Sequence, residues 1–216
     1  MTHMELRNVT LTTGSVIRVD DLSADVEAGH LIAIIGANGS GKSSLLSLMA
    51  GQLAPTSGEV LVDGQSVSSL PPAVRARHLA WLGQVTTGAD SYAVRDVVAW
   101  GRVARSKGEV ATAVNPADVI ELVGLSQLAN APMGSLSGGE RQRVHIARVW
   151  VQAAPITLLD EPDASLDQAG RLLLRQLITD KRNAGHTIVT VTHDRGWAAS
   201  AADHVWVMDA GTMTTQ

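Results

Sequence analysis

The chain has 216 residues, 17 lysines and arginines against 21 aspartates and glutamates, a formal net charge of −4, and no cysteine. That length suits one α/β domain with a buried core, and the acidic balance withholds the basic field of a nucleic-acid binder, so no nucleic-acid partner is expected. The absent thiols exclude disulfides and thiolate metal sites; no apolar run approaches a membrane span, and no secretion signal opens the chain.

In chain order, residues 5–19 mix β-branched residues with Thr and Gly and predict two short antiparallel strands around Thr13-Gly14-Ser15. Val26-Glu27-Ala28-Gly29 turns the chain into an apolar strand, Leu31-Ile32-Ala33-Ile34-Ile35. Next comes Gly36-Ala37-Asn38-Gly39-Ser40-Gly41-Lys42-Ser43, followed by Ser44 and an apolar stretch with no helix breaker before Gly51. Strand, glycine loop and helix together are the setting a phosphate-binding loop requires. Glycines let successive backbone N–H groups converge on one concavity, and the helix N-terminus adds its positive end. Lys42 can then reach the β- and γ-phosphates while the Ser43 hydroxyl offers an oxygen to Mg²⁺. The chain is therefore expected to bind a nucleoside triphosphate through residues 36–44.

Pro55 to Gly58 make a turn, residues 59–62 a strand, and Asp63-Gly64 a hairpin signal. Pro71-Pro72 opens a short basic helix through Arg75, Arg77 and His78, and Leu79-Ala80-Trp81-Leu82-Gly83 is the next strand, with Gln84 at its end. From there to Pro155 three helices are predicted, over 94–103, 116–123 and 140–152, with apolar residues at helical spacing and no convincing strand. Strand character returns at Ile156-Thr157-Leu158-Leu159 and ends in Asp160-Glu161-Pro162. A helix over 167–184, a strand over 187–191, a short helix after Asp194 and a strand over 204–208 complete the pattern. Such alternation indicates an α/β fold with a mostly parallel sheet covered by helices on both faces. With no phenylalanine and one tyrosine, Tyr92, the aromatic bulk falls to five tryptophans, most of which core packing explains.

With Leu136-Ser137-Gly138-Gly139-Glu140-Arg141-Gln142-Arg143, lying between the phosphate loop and the acidic pair, the sequence resembles the ATP-binding cassette ATPases over essentially its whole length. The resemblance implies one cassette domain: a phosphate-loop core over 1–85 and 155–216, with N-terminal antiparallel strands, and an inserted helical subdomain over 86–154. ATP and Mg²⁺ are the implied ligands. Asp160 is expected to hold Mg²⁺ together with Ser43 and Gln84, which resembles the family's Q-loop glutamine. Glu161 is expected to polarise the attacking water, and His193, in Val191-Thr192-His193-Asp194, to contact the γ-phosphate, as Lys42 does. Ser165-Leu166-Asp167 resembles the D-loop, although Ser165 or Asp167 can equally cap a helix. In the family the signature Ser137-Gly138-Gly139-Glu140 faces the γ-phosphate held by a partner, so one chain with one loop and one signature implies a head-to-tail homodimer around two ATP molecules.

Two departures stand out. The position where the family stacks adenine on an aromatic ring falls at Thr13; for Arg18 two readings stand open, a guanidinium laid over the base or a solvated strand residue. Asp163 adds charge where many members carry a neutral residue. By resemblance the chain is the peripheral motor subunit of a transporter, on the cytoplasmic face of the membrane, docked on transmembrane permease subunits through residues 85–95. The stretches 70–84 and 94–102 are similar to ATPases of iron-siderophore, haem and vitamin B12 importers, which imply a substrate-binding protein as a further partner. Other importers, exporters and soluble non-transport cassettes remain as alternatives. The chain stops shortly after its last predicted strand, and no appended regulatory domain is expected.

Overall fold

The computed structural model describes residues 2–83, 89–102 and 114–216. Strands β1 (Met4–Thr13) and β2 (Val16–Val26) form the first hairpin. The second strand is longer than the sequence pattern suggested and runs into the expected turn at Val26. Val19, Leu22 and Val26 keep an inward face through it, while bulges at Asn8 and Asp21 (φ 47° and 42°) absorb the irregular spacing. With β4 (Ser57–Val62) and β5 (Gln65–Ser66) the hairpin makes a four-stranded antiparallel sheet of order β2-β1-β4-β5. Asp63 and Gly64, both at positive φ, form the turn between the last two strands, as their dipeptide predicts.

The second sheet has the order β10-β9-β3-β8-β7-β6. It contains β3 (Leu31–Gly36), β6 (Leu79–Leu82), β7 (Ile156–Asp160), β8 (Thr187–Val191) and β9 (His204–Asp209), all parallel, and β10 (Thr212–Thr215), antiparallel on β9. Every residue of β7 and β8 is buried, which explains their unbroken apolar and β-branched runs. β10 went unforeseen because Thr-Met-Thr-Thr carries no apolar alternation; its only signal is the Ala210-Gly211 turn, with φ of 44° and 88°.

Helix α1 (Lys42–Met49) lies between the two sheets, where Leu45, Leu46, Leu48 and Met49 share one core with Met4 and Val9 on one side and Ile34 and Val191 on the other. One face of the parallel sheet is thus covered by α1 and the antiparallel sheet rather than by helices alone. A short α2 (Pro72–His78) leads into β6. Helices α3 (Val94–Ala99), α4 (Pro116–Leu122), α5 (Gly138–Gln152) and α6 (Gln168–Asn183) build the core on the opposite face, and α7 (Arg195–Ala201) sets Ala198 against Ala33 and Ile35. Among the described residues no strand interrupts α3 to α5, as the helical pattern there predicts. α5 starts two residues earlier than expected because Ser137 and Glu140 close a capping box.

Because β3, β8 and β7 are adjacent and parallel, Gly36, Val191 and Asp160 end side by side at one edge. Ligands of open parallel sheets collect outside such carboxyl ends.

Candidate nucleotide site

The phosphate loop leaves β3 at Gly36 and enters α1 through Gly41, whose φ is 108°. A Cβ on Gly41 would stand 2.2 Å from the Arg18 carbonyl oxygen, so only glycine lets β2 pass this close. Ala37, Asn38 and Gly39 are exposed at the rim, whereas Lys42 is only 4% exposed. Its Nζ donates to the carbonyls of Gly36 at 3.1 Å and Ala37 at 2.8 Å, which holds the ammonium inside the loop's own curve. Ser40 Oγ is buried and finds no hydrogen-bond partner among the described residues.

Two adjacent strand ends close the site. Ser43 Oγ donates to Asp160 Oδ1 at 3.0 Å, joining the first turn of α1 to the end of β7. Burial pushes the Asp160 carboxyl above its ordinary range, and neighbouring Glu161 adds to this, while the Ser43 hydroxyl and Lys42 act against it. Two hard oxygens meeting in such a place suit a small divalent cation, which would relieve the desolvated charge. Glu161 adopts φ 46°, a left-handed backbone that a non-glycine residue enters at a cost of about 1–3 kcal/mol. Its N–H donates to the Val191 carbonyl at 3.2 Å, and its own carbonyl accepts from Ala164 at 3.2 Å. So fixed, the side chain meets His193, whose Nε2 lies 2.9 Å from Glu161 Oε1, across the ends of β7 and β8. The Thr192 N–H, donating to the Ile34 carbonyl at 3.1 Å, ties the His193 segment back to β3.

Ser137, Gly138, Gly139 and Glu140 start α5. Ser137 donates its N–H (2.8 Å) and its hydroxyl (2.7 Å) to Glu140 Oε2, and these bonds hold that carboxyl below its ordinary range. The first N–H groups of a helix have no intrahelical acceptor, and the glycine pair leaves this end exposed enough for an anion to approach. Gln142 of α5 donates to the Pro162 carbonyl at 2.9 Å, and Gly139 packs close to the Ser165 carbonyl. The signature and the segment after Glu161 are therefore mechanically joined. Asp167 caps α6, accepting from the Gly170 N–H at 2.8 Å. Gln84 and residues 85–88 lie outside the described residues.

Sequence reasoning missed the brace behind the loop. The Gly211 N–H donates to the Ser40 carbonyl at 3.0 Å, and the Gly211 carbonyl accepts from Asp20 at 2.9 Å, so the β9–β10 turn clamps the loop to β2. The Met208 carbonyl also abuts Gly36. Arg18 is the extra residue of a bulge between the Leu11–Val19 and Thr12–Ile17 pairs, half-buried and against Gly41. Thr13 sits at the exposed end of β1, paired with Val16.

A glycine loop between a central parallel strand and a helix, with an acid pair on a nearby parallel strand, defines a phosphate-loop nucleoside triphosphatase. The family model described as ABC transporter matches residues 19–164. The hemin import ATP-binding protein HmuV of Nocardia farcinica is 39% identical over 201 residues, which cover 89% of this chain and 68% of that protein. The cobalamin import ATP-binding protein BtuD of Halobacterium salinarum is also 39% identical, over 89% of this chain and 49% of its own length, so the chain spans about half of that relative. A dimeric bacterial ABC transporter cassette superposes with a TM-score of 0.87 at 25% identity, covering 99% of this chain and 97% of that one. The chain belongs to the ABC transporter family, as an ATP-hydrolysing cassette.

Proposed function

We propose that this chain is the ATPase subunit of a solute importer, and that two copies close head to tail over two ATP molecules. The observation that carries the reading is the joining of Ser43 to Asp160 and of His193 to Glu161 across neighbouring strand ends. In this reading the loop N–H groups of residues 36–44 and Lys42 cradle the phosphates. Ser43 and Asp160, with Gln84, would hold Mg²⁺, which when bound neutralises charge on the β- and γ-phosphates. Glu161 orients the attacking water and takes up its proton, and His193 holds the Glu161 carboxylate and reaches the γ-phosphate. Ser137, Gly138 and Gly139 face the γ-phosphate of the partner copy, and Asp167 lies along the shared seam. Arg18, which sits on a bulge beside the loop, is assigned to cover the adenine.

The division into a core over 1–85 and 155–216 and a helical part over 86–154 assigns motion to the second. Within the segment read as permease-docking, Tyr92 is 51% exposed, and it meets the ring of Trp100, 39% exposed, edge-on with centroids 4.9 Å apart. Exposed aromatics of this kind are typical anchors of protein interfaces. Among the described residues no helix is long and apolar enough to cross a membrane. Membrane attachment is accordingly assigned to separate permease subunits, with this chain peripheral on the cytoplasmic face and a substrate-binding protein supplying cargo on the other. The relatives' names point to hemin or cobalamin-type cargo, and iron-siderophore complexes belong to the same chemical range. Reconstitution with candidate transmembrane permease subunits tests the reading. ATPase stimulation by a hemin- or cobalamin-loaded binding protein is expected; failure to co-purify, with turnover indifferent to any loaded binding protein, overturns it.

A further inference from the structure

We propose a second ligand site, for a zinc-class divalent transition metal, formed by Glu27, His30 and His204 at the end of the parallel sheet remote from the nucleotide. His30 precedes the first residue of β3 and Gly36 is its last, so the two sites stand about 20 Å apart at about 3.3 Å per strand residue. Glu27 and His30 flank the turn before β3, closed by the His30 N–H on the Glu27 carbonyl at 3.4 Å. His204 opens the adjacent strand β9, in register with Ile32.

One ligand atom from each of the three residues lies within 4.8 Å of the other two. The imidazole rings stand 5.3 Å apart between centroids, inclined by 50°. His30 Nδ1 is a buried atom with no hydrogen bond among the described residues, 3.5 Å from Glu27 Oε2. Tetrahedral zinc, with bonds of about 2.0–2.1 Å, holds its donors about 3.3 Å apart; Glu27 and His30 already stand 3.5 Å apart, so the closing movement, up to about 1.5 Å, is needed towards His204. Rotation of the half-buried His204 and His30 rings, together with the 64% exposed Glu27 side chain, supplies it. The backbones that carry the histidines are already fixed. Leu31 and Asp203 exchange two hydrogen bonds, N–H to Oδ2 and N–H to carbonyl, each 2.8 Å, and the His30 carbonyl accepts from Ile188 at 2.9 Å.

Charge favours a cation here. Arg182 is engaged through two nitrogens by Asp203, so its charge is neutralised locally and Glu27 leaves the cluster net negative. Two imidazole nitrogens and one carboxylate select zinc and its borderline neighbours over magnesium or calcium, which prefer all-oxygen sites. Bound there, the metal straps the β2–β3 turn to β9, and its fourth position is left for water.

The test uses untagged, chelator-stripped full chain without nucleotide, titrated with zinc chloride against a chromogenic chelator and followed by thermal melting. One zinc per chain with low-micromolar affinity and a melting point raised by zinc are expected. His30→Gln, His204→Gln and Glu27→Gln should each weaken binding by about tenfold or more. His204→Cys, which keeps a zinc ligand, should restore it, and ATP turnover in a zinc-selective chelator with magnesium in excess should be the same for all four variants. No saturable binding in the micromolar range, or wild-type affinity in the His30→Gln/His204→Gln double variant, overturns the proposal.

Discussion

Replacing Glu161 by Gln separates chemistry from folding. The amide has the size of the carboxylate and can still accept from His193, but it cannot take a proton from water. Removing a positioned general base lowers the rate about 10²–10⁴-fold, or about 3–5 kcal/mol of barrier. The folded state should hardly respond: the His193 and Glu161 side chains are 53% and 35% exposed, and such pairs contribute about 0–1 kcal/mol. For a domain of this size that bounds the melting shift at about 4 °C. Glu161→Gly sharpens the contrast, because glycine relieves about 1–2 kcal/mol of left-handed strain at φ 46° and loses about 0.5–1 kcal/mol to a freer unfolded chain. With the His193 pair also lost, the net change lies between about −1 and +1.5 kcal/mol, so it should melt within a few degrees of wild type while turning over no faster than the Gln variant. Phosphate release at saturating ATP and a thermal melt suffice. Turnover of Glu161→Gln above about a tenth of wild type, where the general-base loss predicts a hundredth or less, removes Glu161 from its assigned role.

Gly41→Ala brings a Cβ to 2.2 Å from the Arg18 carbonyl at a φ of 108°; strain and overpacking together should destabilise by about 2–6 kcal/mol and abolish ATP binding, whereas Gly138→Ala, which meets nothing within 4 Å, should leave the melting temperature near wild type. Ser43→Ala should cost about 1 kcal/mol of stability through the lost bond to Asp160 and remove most magnesium-dependent turnover, read by comparing melts with ATPase rates. His145, 7% exposed in α5, has its pKa lowered to about 4 by burial, with Arg148 and Arg141 adding to it. The unfolded chain therefore binds the extra proton first, and this group's contribution is whole above about pH 6.5 and declines towards pH 4, by at most about 2 kcal/mol at pH 5. His145→Leu should flatten that part of the urea-midpoint profile between pH 7 and 5. Arg18→Ala should weaken ATP binding severalfold, since cation–π contacts at open sites contribute about 0.5–1 kcal/mol; unchanged affinity in a fluorescent-nucleotide titration excludes stacking.

The phosphate loop and the acidic strand end were legible because each rests on local pattern: an apolar run that can only be a buried strand, then residues whose chemistry is fixed by spacing. β7 and β8 appear as continuous apolar segments because both their faces are covered. The contacts that turn motifs into a site were not legible. Ser43 and Asp160 are 117 positions apart and His193 and Glu161 are 32 apart, and only the β3-β8-β7 order brings them together. The left-handed Glu161 and the bulged Arg18 have no local signature, because both conformations are imposed by neighbouring strands. Gly211 behind the loop belongs to a strand pair whose polar sequence gave no period to detect.

The central claim, that two copies share two ATP molecules with each signature facing the other's γ-phosphate, is tested most directly by light scattering on the Glu161→Gln protein with Mg-ATP. A particle of twice the 22.6 kDa chain mass is predicted, returning to one chain mass without ATP or when Ser137→Arg is added to block the signature end. A strictly monomeric Glu161→Gln protein at high concentration with saturating Mg-ATP, even beside its membrane subunits, contradicts it.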